Sequence, residues 1–174
     1  MTFPAAALCA FGRLGGPYTS FAQGIALIPG MIGNYLRAAF YRQTLREFSL
    51  DTTVAFGTFF ASPQASVSAL ASIGCYCVIG RVRIGFGTQI GSHVEIPSGR
   101  REHVRDRKGN LLSAPAAEIV IGNRCWIGSA AVIMAEIGDR STVGAGSVVV
   151  TKIPPGAVAV GNPARVIRIC TFDD

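Results

Sequence analysis

Histidine is the side chain best suited to moving a proton near neutral pH, because its unperturbed pKa is about 6.5. The 174-residue chain has two, His93 and His103. His103 stands in Ser98-Gly-Arg-Arg-Glu-His, with Arg100, Arg101 and Arg105 around it, Glu102 beside it and Glu95 upstream. Either carboxylate could orient an imidazole. The arginines suit an anionic partner as well as they suit a solvated loop face. The five cysteines, Cys9, Cys75, Cys77, Cys125 and Cys170, would be a second source of nucleophiles. Their odd number and the lack of a basic leader favour reduced thiols in a cytoplasmic protein. Cys75-Tyr-Cys77 has no further ligands at zinc spacing, so small buried thiols are the better reading and no metal site is expected.

The elements that hold these residues follow a period of six. An aliphatic residue recurs at Ile84, Ile90 and Ile96, at Ile121, Ile127 and Ile133, and at Ile137, Val143 and Val149, and Gly follows it in most units. Ile73-Gly and Ile79-Gly form an earlier pair, and from Val54 to Val67 the repeat is degraded. Each unit reads as one short strand plus one turn. The aliphatic residue points inward, and the small residue after it lets the backbone bend. Three units make a triangular coil, and stacked coils bury a continuous ladder of Ile and Val. The register slips from Ile79 to Ile84 and from Ile133 to Ile137, which places loops or distorted corners there. The pattern leaves the hand of the coil open; the general rule for parallel crossovers gives right-handed.

Composition agrees with a packed core: 49% of residues are hydrophobic and 15% charged, and 21 glycines supply turns. The net charge is +6, but the basic residues are spread over Arg37–Arg46, Arg100–Lys108 and Arg165–Arg168. No nucleic-acid motif accompanies them, so no nucleic-acid partner is expected. The longest apolar stretch, Phe21–Gly33, is broken by Pro29 and falls short of the roughly 20 residues that a membrane span needs. From Ile32 the period becomes helical, with Ile32, Tyr35, Leu36, Ala39 and Phe40 on one stripe and Arg37, Arg42 and Arg46 mostly off it. This reads as a helix capping the end of the main domain, or as a basic amphipathic helix giving peripheral membrane contact through residues 21–48. The sixfold pattern vanishes from Pro97 to Glu118, a charged stretch that holds His103; such long loops are usually functional or disordered. The expected organisation is an irregular and helical segment over 1–50, the repeat domain over 51–168 with a loop insertion at 97–118, and a tail over 169–174.

The repeat units, the stretch IGNRCWIGSAAVI and the tail VGAGSVVVTKIPPGAVAVGNPARVIR resemble the hexapeptide-repeat acyltransferases, relatives of maltose, galactoside and lipopolysaccharide O-acetyltransferases. LIPGMIGNYLRAAFYR resembles the leader of polysaccharide-biosynthesis members. The resemblance implies an all-β solenoid: a left-handed parallel β-helix with an N-terminal α-helical segment and one long loop insertion. It implies a homotrimer with sites in clefts between subunits, acetyl-CoA as co-substrate, no metal, and a hydroxyl of a sugar or polysaccharide as acceptor. His103, or alternatively His93, would take the hydroxyl proton in a ternary complex, and a backbone N–H would stabilise the oxyanion. Trp126, Gly128, Ser129 and Ala145 would line the coenzyme arm, and Thr151, Lys152, Arg165 and Arg168 would reach its phosphates. Glu95, Arg100, Arg101 and Arg105 would meet the acceptor. Three departures bear on the site. SGRREH stands where relatives read SGRHQH or SGRRQH, VTKI where they read TKD or VKD, and two residues are missing after Ile133, where they read LPGVTIG.

Two other classes use the same architecture. The γ-type carbonic anhydrases hold zinc with three histidines, and this chain has two. A non-catalytic scaffold or regulatory module would turn over no acetyl-CoA and would tolerate loss of His103. The charged insertion and the intact tail argue for the transferase.

Overall fold

A two-residue strand and a four-residue corner make one side of a triangle, and three sides close a coil. In the computed structural model, which describes residues 16–98, 103–113 and 117–170, about six such coils stack. The first holds β1 (Glu47–Phe48), β2 (Thr53–Val54) and β3 (Phe59–Phe60). The second holds β4 (Ser66–Val67), β5 (Ser72–Ile73) and β6 (Val78–Ile79). The third holds β7 (Val82–Ile84), β8 (Gln89–Ile90) and β9 (Glu95–Ile96). An antiparallel hairpin of β10 (His103–Arg105) and β11 (Leu111–Ser113) intervenes. The fourth coil holds β12 (Ile119–Ile121), β13 (Trp126–Ile127) and β14 (Val132–Ile133). The fifth opens with a bridge at Ile137 and continues in β15 (Thr142–Val143) and β16 (Val148–Val149). The sixth opens with a bridge at Ile153 and continues in β17 (Ala157–Gly161), on which β18 (Ala164–Ile169) folds back antiparallel.

Each coil strand pairs in parallel with its equivalents above and below, which gives the prism three faces. The first is β1-β4-β7-β12, the second β2-β5-β8-β13-β15-β17-β18, and the third β3-β6-β9-β14-β16. In-register pairing stacks the inward side chains into three ladders. They are Phe48, Val67, Ile84, Ile121, Ile137 and Ile153; Val54, Ile73, Ile90, Ile127, Val143 and Ala159; and Phe60, Ile79, Ile96, Ile133 and Val149. All are at most 4% exposed. Burial of each Ile, Val or Phe is worth roughly 1.5–3 kcal/mol, so the ladders are the main cohesive term.

The stretch that reads as degraded, Val54 to Val67, still forms coil strands, with Phe60 in an inward place and a seven-residue step from Phe60 to Val67. Its aromatic residues answer to what covers them. Helices α1 (Gly16–Ala26) and α2 (Gly30–Thr44) close the open end of the first coil. Tyr41 of α2 packs edge-on to Phe60 at 4.8 Å and lies 5.9 Å from Phe48, with Phe40 and Tyr18 stacked behind it. The helix caps the prism, but not by the expected stripe. Ile32 and Tyr35 are 72% and 68% exposed, and the buried face is Gly33, Arg37, Phe40 and Tyr41. Arg37 takes a core place because carbonyls absorb its guanidinium. Nε donates to Val54 O at 2.8 Å, Nη1 to Ile28 O at 2.8 Å and to Ile25 O at 3.3 Å, and Nη2 to Asn34 Oδ1.

The bend is also placed differently. The glycine after each inward residue stays out of the left-handed region. The turn is made two positions later, at Leu70, Tyr76, His93, Arg124, Ala130 and Arg140, with φ between +53 and +59°, or at Gly57, Gly87, Gly146 and Gly156. The first glycine is needed for close stacking of coils instead: a Cβ on Gly128 would lie 2.4 Å from Ala145 N.

Both register slips fall on the edge between the third and first faces, and Phe60–Val67 and Val149–Ile153 depart from six on the same edge. Among the described residues this edge has no left-handed turn residue to fix its length. The insertion leaves from it too, and part of it is the β10–β11 hairpin rather than an unstructured loop. Asp106 holds the hairpin turn by accepting from Lys108 N at 2.8 Å, Asn110 N at 2.9 Å and Asn110 Nδ2 at 3.0 Å. Where the chain returns, Glu118 accepts from Arg83 at 2.7 Å and pairs with Arg46 at 3.5 Å.

Candidate functional site

The second face presents an outward line across four strands. Trp126, 60% exposed, is in register with Thr142, then Val158, then Arg168. Three strand spacings of about 4.8 Å put the Arg168 backbone roughly 14 Å from that of Trp126 along the prism axis. Arg165 is exposed on the same terminal strand, opposite Val160. Gly128, Ser129 and Ala145 follow at the corner between the second and third faces. Gly128 is buried between coils, whereas Ser129 and Ala145 are exposed. The structure therefore brings together Trp126, Ser129, Ala145, Arg165 and Arg168 on one side, with Gly128 as the packing residue behind them.

Several backbone N–H groups on this corner, those of Phe56, Ser92, Ser129 and Ala145, have no acceptor among the described residues. Two residues after an inward side chain, the backbone N–H of several corners is taken by a side chain from the coil above. Ser92 Oγ accepts from Cys75 N at 3.1 Å, Asn123 Oδ1 from Phe86 N at 2.9 Å, and Asp139 Oδ1 from Asn123 N at 2.9 Å. Above Ser129 stands Ala145, which has no acceptor. Among the described residues nothing accepts the Ser129 N–H.

Lower on the same corner lies an aromatic column. Tyr76 stacks flat on His93, with centroids 5.4 Å apart and planes 10° apart, and Phe56 meets Tyr76 edge-on at 5.4 Å. Tyr76 and His93 are exposed. Sequence reasoning missed Tyr76 because the flanking Cys75 and Cys77 drew the attention. The available signal was that Tyr76 and His93 each stand three residues after an inward Ile.

The remaining candidates lie elsewhere. His103 and Arg105 belong to β10, rooted on the edge between the third and first faces. Arg100, Arg101 and Glu102 lie outside the described residues. Thr151 and Lys152 sit on that same edge, exposed, with Lys152 Nζ 2.7 Å from Glu136 Oε2. Glu95 points outward on the third face, between Val78 and Val132. Within one chain, the third face, on which Glu95 lies, separates β10, Thr151 and Lys152 from Trp126 and its neighbours.

The cysteines serve the corners. The Cys77 and Cys125 N–H groups donate to Thr58 and Thr88 hydroxyls at 2.8 and 3.1 Å, and Cys125 Sγ donates to Gly138 O at 3.1 Å. Burial pushes both thiols up, which leaves little thiolate for nucleophilic work. Among the described residues no three His, Cys, Asp or Glu side chains gather as a metal site.

No protein-family profile matches the chain. The galactoside O-acetyltransferase of Escherichia coli is 46% identical over 91 residues, which are 50% of this chain and 43% of that enzyme. The matched part thus spans less than half of that relative. A maltose O-acetyltransferase from Clostridium difficile superposes with a TM-score of 0.73 over 95% of this chain and 89% of its own, at 23% identity. AntD, an N-acyltransferase from Bacillus cereus solved with dTDP and 3-hydroxybutyryl-CoA, covers 76% of this chain and 87% of its own, with a TM-score of 0.57 and 15% identity. The fold is the left-handed form. The right-handed rule rests on strand twist, and two-residue strands carry too little of it to decide the hand. By sequence over half its length the chain is similar to a galactoside O-acetyltransferase, and over nearly all of it the chain has the left-handed β-helix fold of a maltose O-acetyltransferase.

Proposed function

We propose that the protein moves an acetyl group from acetyl-CoA to a hydroxyl of a sugar or polysaccharide, within a homotrimer and through a ternary complex. The observation that carries this reading is the open Ser129 N–H at one end of the axial line Trp126–Thr142–Val158–Arg168. An extended coenzyme arm follows that line, with the thioester carbonyl at Ser129 and the phosphates at Arg165 and Arg168. The base takes the acceptor hydroxyl proton as its oxygen attacks the thioester carbon. The Ser129 N–H holds the charge that develops on the carbonyl oxygen. The C–S bond then breaks, the proton passes to the thiolate, and ester and free thiol leave. AntD, solved with an acyl-CoA, supports the coenzyme class.

The base is His103, supplied by the hairpin of a neighbouring chain. The separation of the His103 edge from the Ser129 corner within one chain supports a site built between copies. So do the outward Phe59, Val78, Val132 and Val148, which make the third face largely apolar. Thr151 and Lys152, on the same edge as the hairpin, reach the neighbour's coenzyme. Arg100, Arg101, Arg105 and Glu95 meet the acceptor, and the Tyr76–His93 stack offers a flat surface to a sugar ring below the thioester. A second reading makes His93 the base, because it stands on the Ser129 corner one coil below.

A thiol-release assay with acetyl-CoA and a panel of sugars and glycan fragments tests the reading. His103→Ala is expected to lose about 10²–10⁴-fold in rate, and His93→Ala less than tenfold. The reverse order would make His93 the base. Full activity in both variants, or no turnover with any acceptor, would overturn the proposal.

A further inference from the structure

The helical cap carries a feature that acyl transfer does not use. At the turn from α1 into α2, Leu27, Met31, Ile32 and Tyr35 are 65–72% exposed and fall within one nine-residue stretch. Arg37 fixes this tip to the prism, since its guanidinium ties Ile25 and Ile28, just before α2, to Val54 of the first coil. Four exposed apolar side chains in one tethered turn are more than scattered surface residues require. The segment that forms the tip carries charge of one sign. No Asp or Glu occurs before Glu47, while Arg42 follows Tyr35 by two helical turns on the same exposed side of α2.

We infer that this tip docks the protein on an anionic membrane surface, with Leu27, Met31, Ile32 and Tyr35 entering the headgroup boundary and Arg42 facing the lipid phosphates. The pairing of an apolar patch with basic and no acidic neighbours is what an anionic bilayer recognises. No helix among the described residues is long and apolar enough to cross a membrane, so the contact is peripheral. The prism axis then rises from the surface, and the Ser129 corner, three coils beyond the first, stands roughly 15 Å above the cap end.

The test is co-sedimentation of the full chain with vesicles of phosphatidylcholine alone and of phosphatidylcholine with phosphatidylglycerol. The native chain is expected to pellet with the anionic vesicles and at least fivefold less with the neutral ones. Met31→Ser/Ile32→Ser should lower anionic-vesicle binding more than tenfold and Arg42→Gln severalfold, with circular dichroism and molar mass in solution unchanged. Failure of the native chain to bind anionic vesicles, or equal binding by Met31→Ser/Ile32→Ser, would overturn the inference. A fall in molar mass in that variant would also overturn it, by assigning the tip to a protein interface. None of these readouts depends on acyl transfer.

Discussion

Ser129 and Pro155 hold the same turn position on different corners. Each stands two residues after an inward Ile and one before a left-handed residue, Ala130 or Gly156. Each also lies against a glycine of the coil below: a Cβ on Gly91 would be 2.6 Å from Ser129 N, and one on Gly138 would be 2.4 Å from Pro155 N. Proline is therefore a tolerated residue in this geometry. Ser129→Pro should delete the proposed oxyanion donor and keep the turn. Its kcat is expected to fall about 10²–10³-fold, with the melting temperature and the KM for acetyl-CoA little changed. Steady-state kinetics beside a thermal melt would show this, and an unimpaired kcat would place the oxyanion elsewhere. Glu118 gives a residue-scale prediction about stability. The Arg83 hydrogen bond, with Arg83 and Arg46 charge nearby, holds its carboxyl below the usual range. A carboxylate whose folded pKa is depressed contributes stability above its unfolded pKa and loses it as pH falls through the folded value. Native protein should therefore exceed Glu118→Gln by about 1 kcal/mol at pH 7, and the gap should close in acid melts. At this scale the sequence names Trp126, Ser129 and Ala145 through the resemblance, but the open N–H needs coordinates. It depends on which residue the next coil places above Ser129, and that is a matter of register across sixteen residues.

Among the elements, the strands were legible and the corners less so. A period of six announces itself because an inward aliphatic residue is required at every side. What the period does not announce is which residue bends. Glycine beside the inward Ile suggests flexibility, yet it is there to let coils approach, and the bend falls on Tyr76, His93 or Arg124, whose types give no sign of it. The first coil was hidden for another reason: Phe48 and Phe60 replace aliphatic residues where Tyr41 packs on the open end. The buried face of α2 escaped because Arg37 reads as a surface residue until its carbonyl partners are known. The β10–β11 hairpin pairs with no coil strand, so it should be separable from the fold. Replacing residues 99–116 by a short Gly-Ser linker is expected to change the melting temperature by only a few degrees and to abolish acetyl transfer. A linker variant that still transfers acetyl groups would remove His103 and the arginines from the mechanism.

For the whole molecule, two sets of residues that the family resemblance assigns to one reaction stand on different parts of a single prism. Trp126, Ser129, Arg165 and Arg168 occupy the second face and its corner, while the hairpin, Thr151 and Lys152 occupy the edge beyond the third face. In the proposed homotrimer, rotation about the threefold axis would bring unlike edges of neighbouring copies together and form three equivalent clefts. The sequence carried this only through the resemblance, since no side chain in one coil reports what the next molecule supplies. Mixed oligomers measure it most directly. His103→Ala and Ser129→Pro chains, each inactive alone, are co-expressed, purified through separate tags and assayed for thiol release. Selection through both tags leaves only 2:1 and 1:2 trimers, each with one of its three clefts holding both an intact His103 and an intact Ser129, so about a third of native activity should return. Mixed oligomers as inactive as either parent would contradict a site shared between chains.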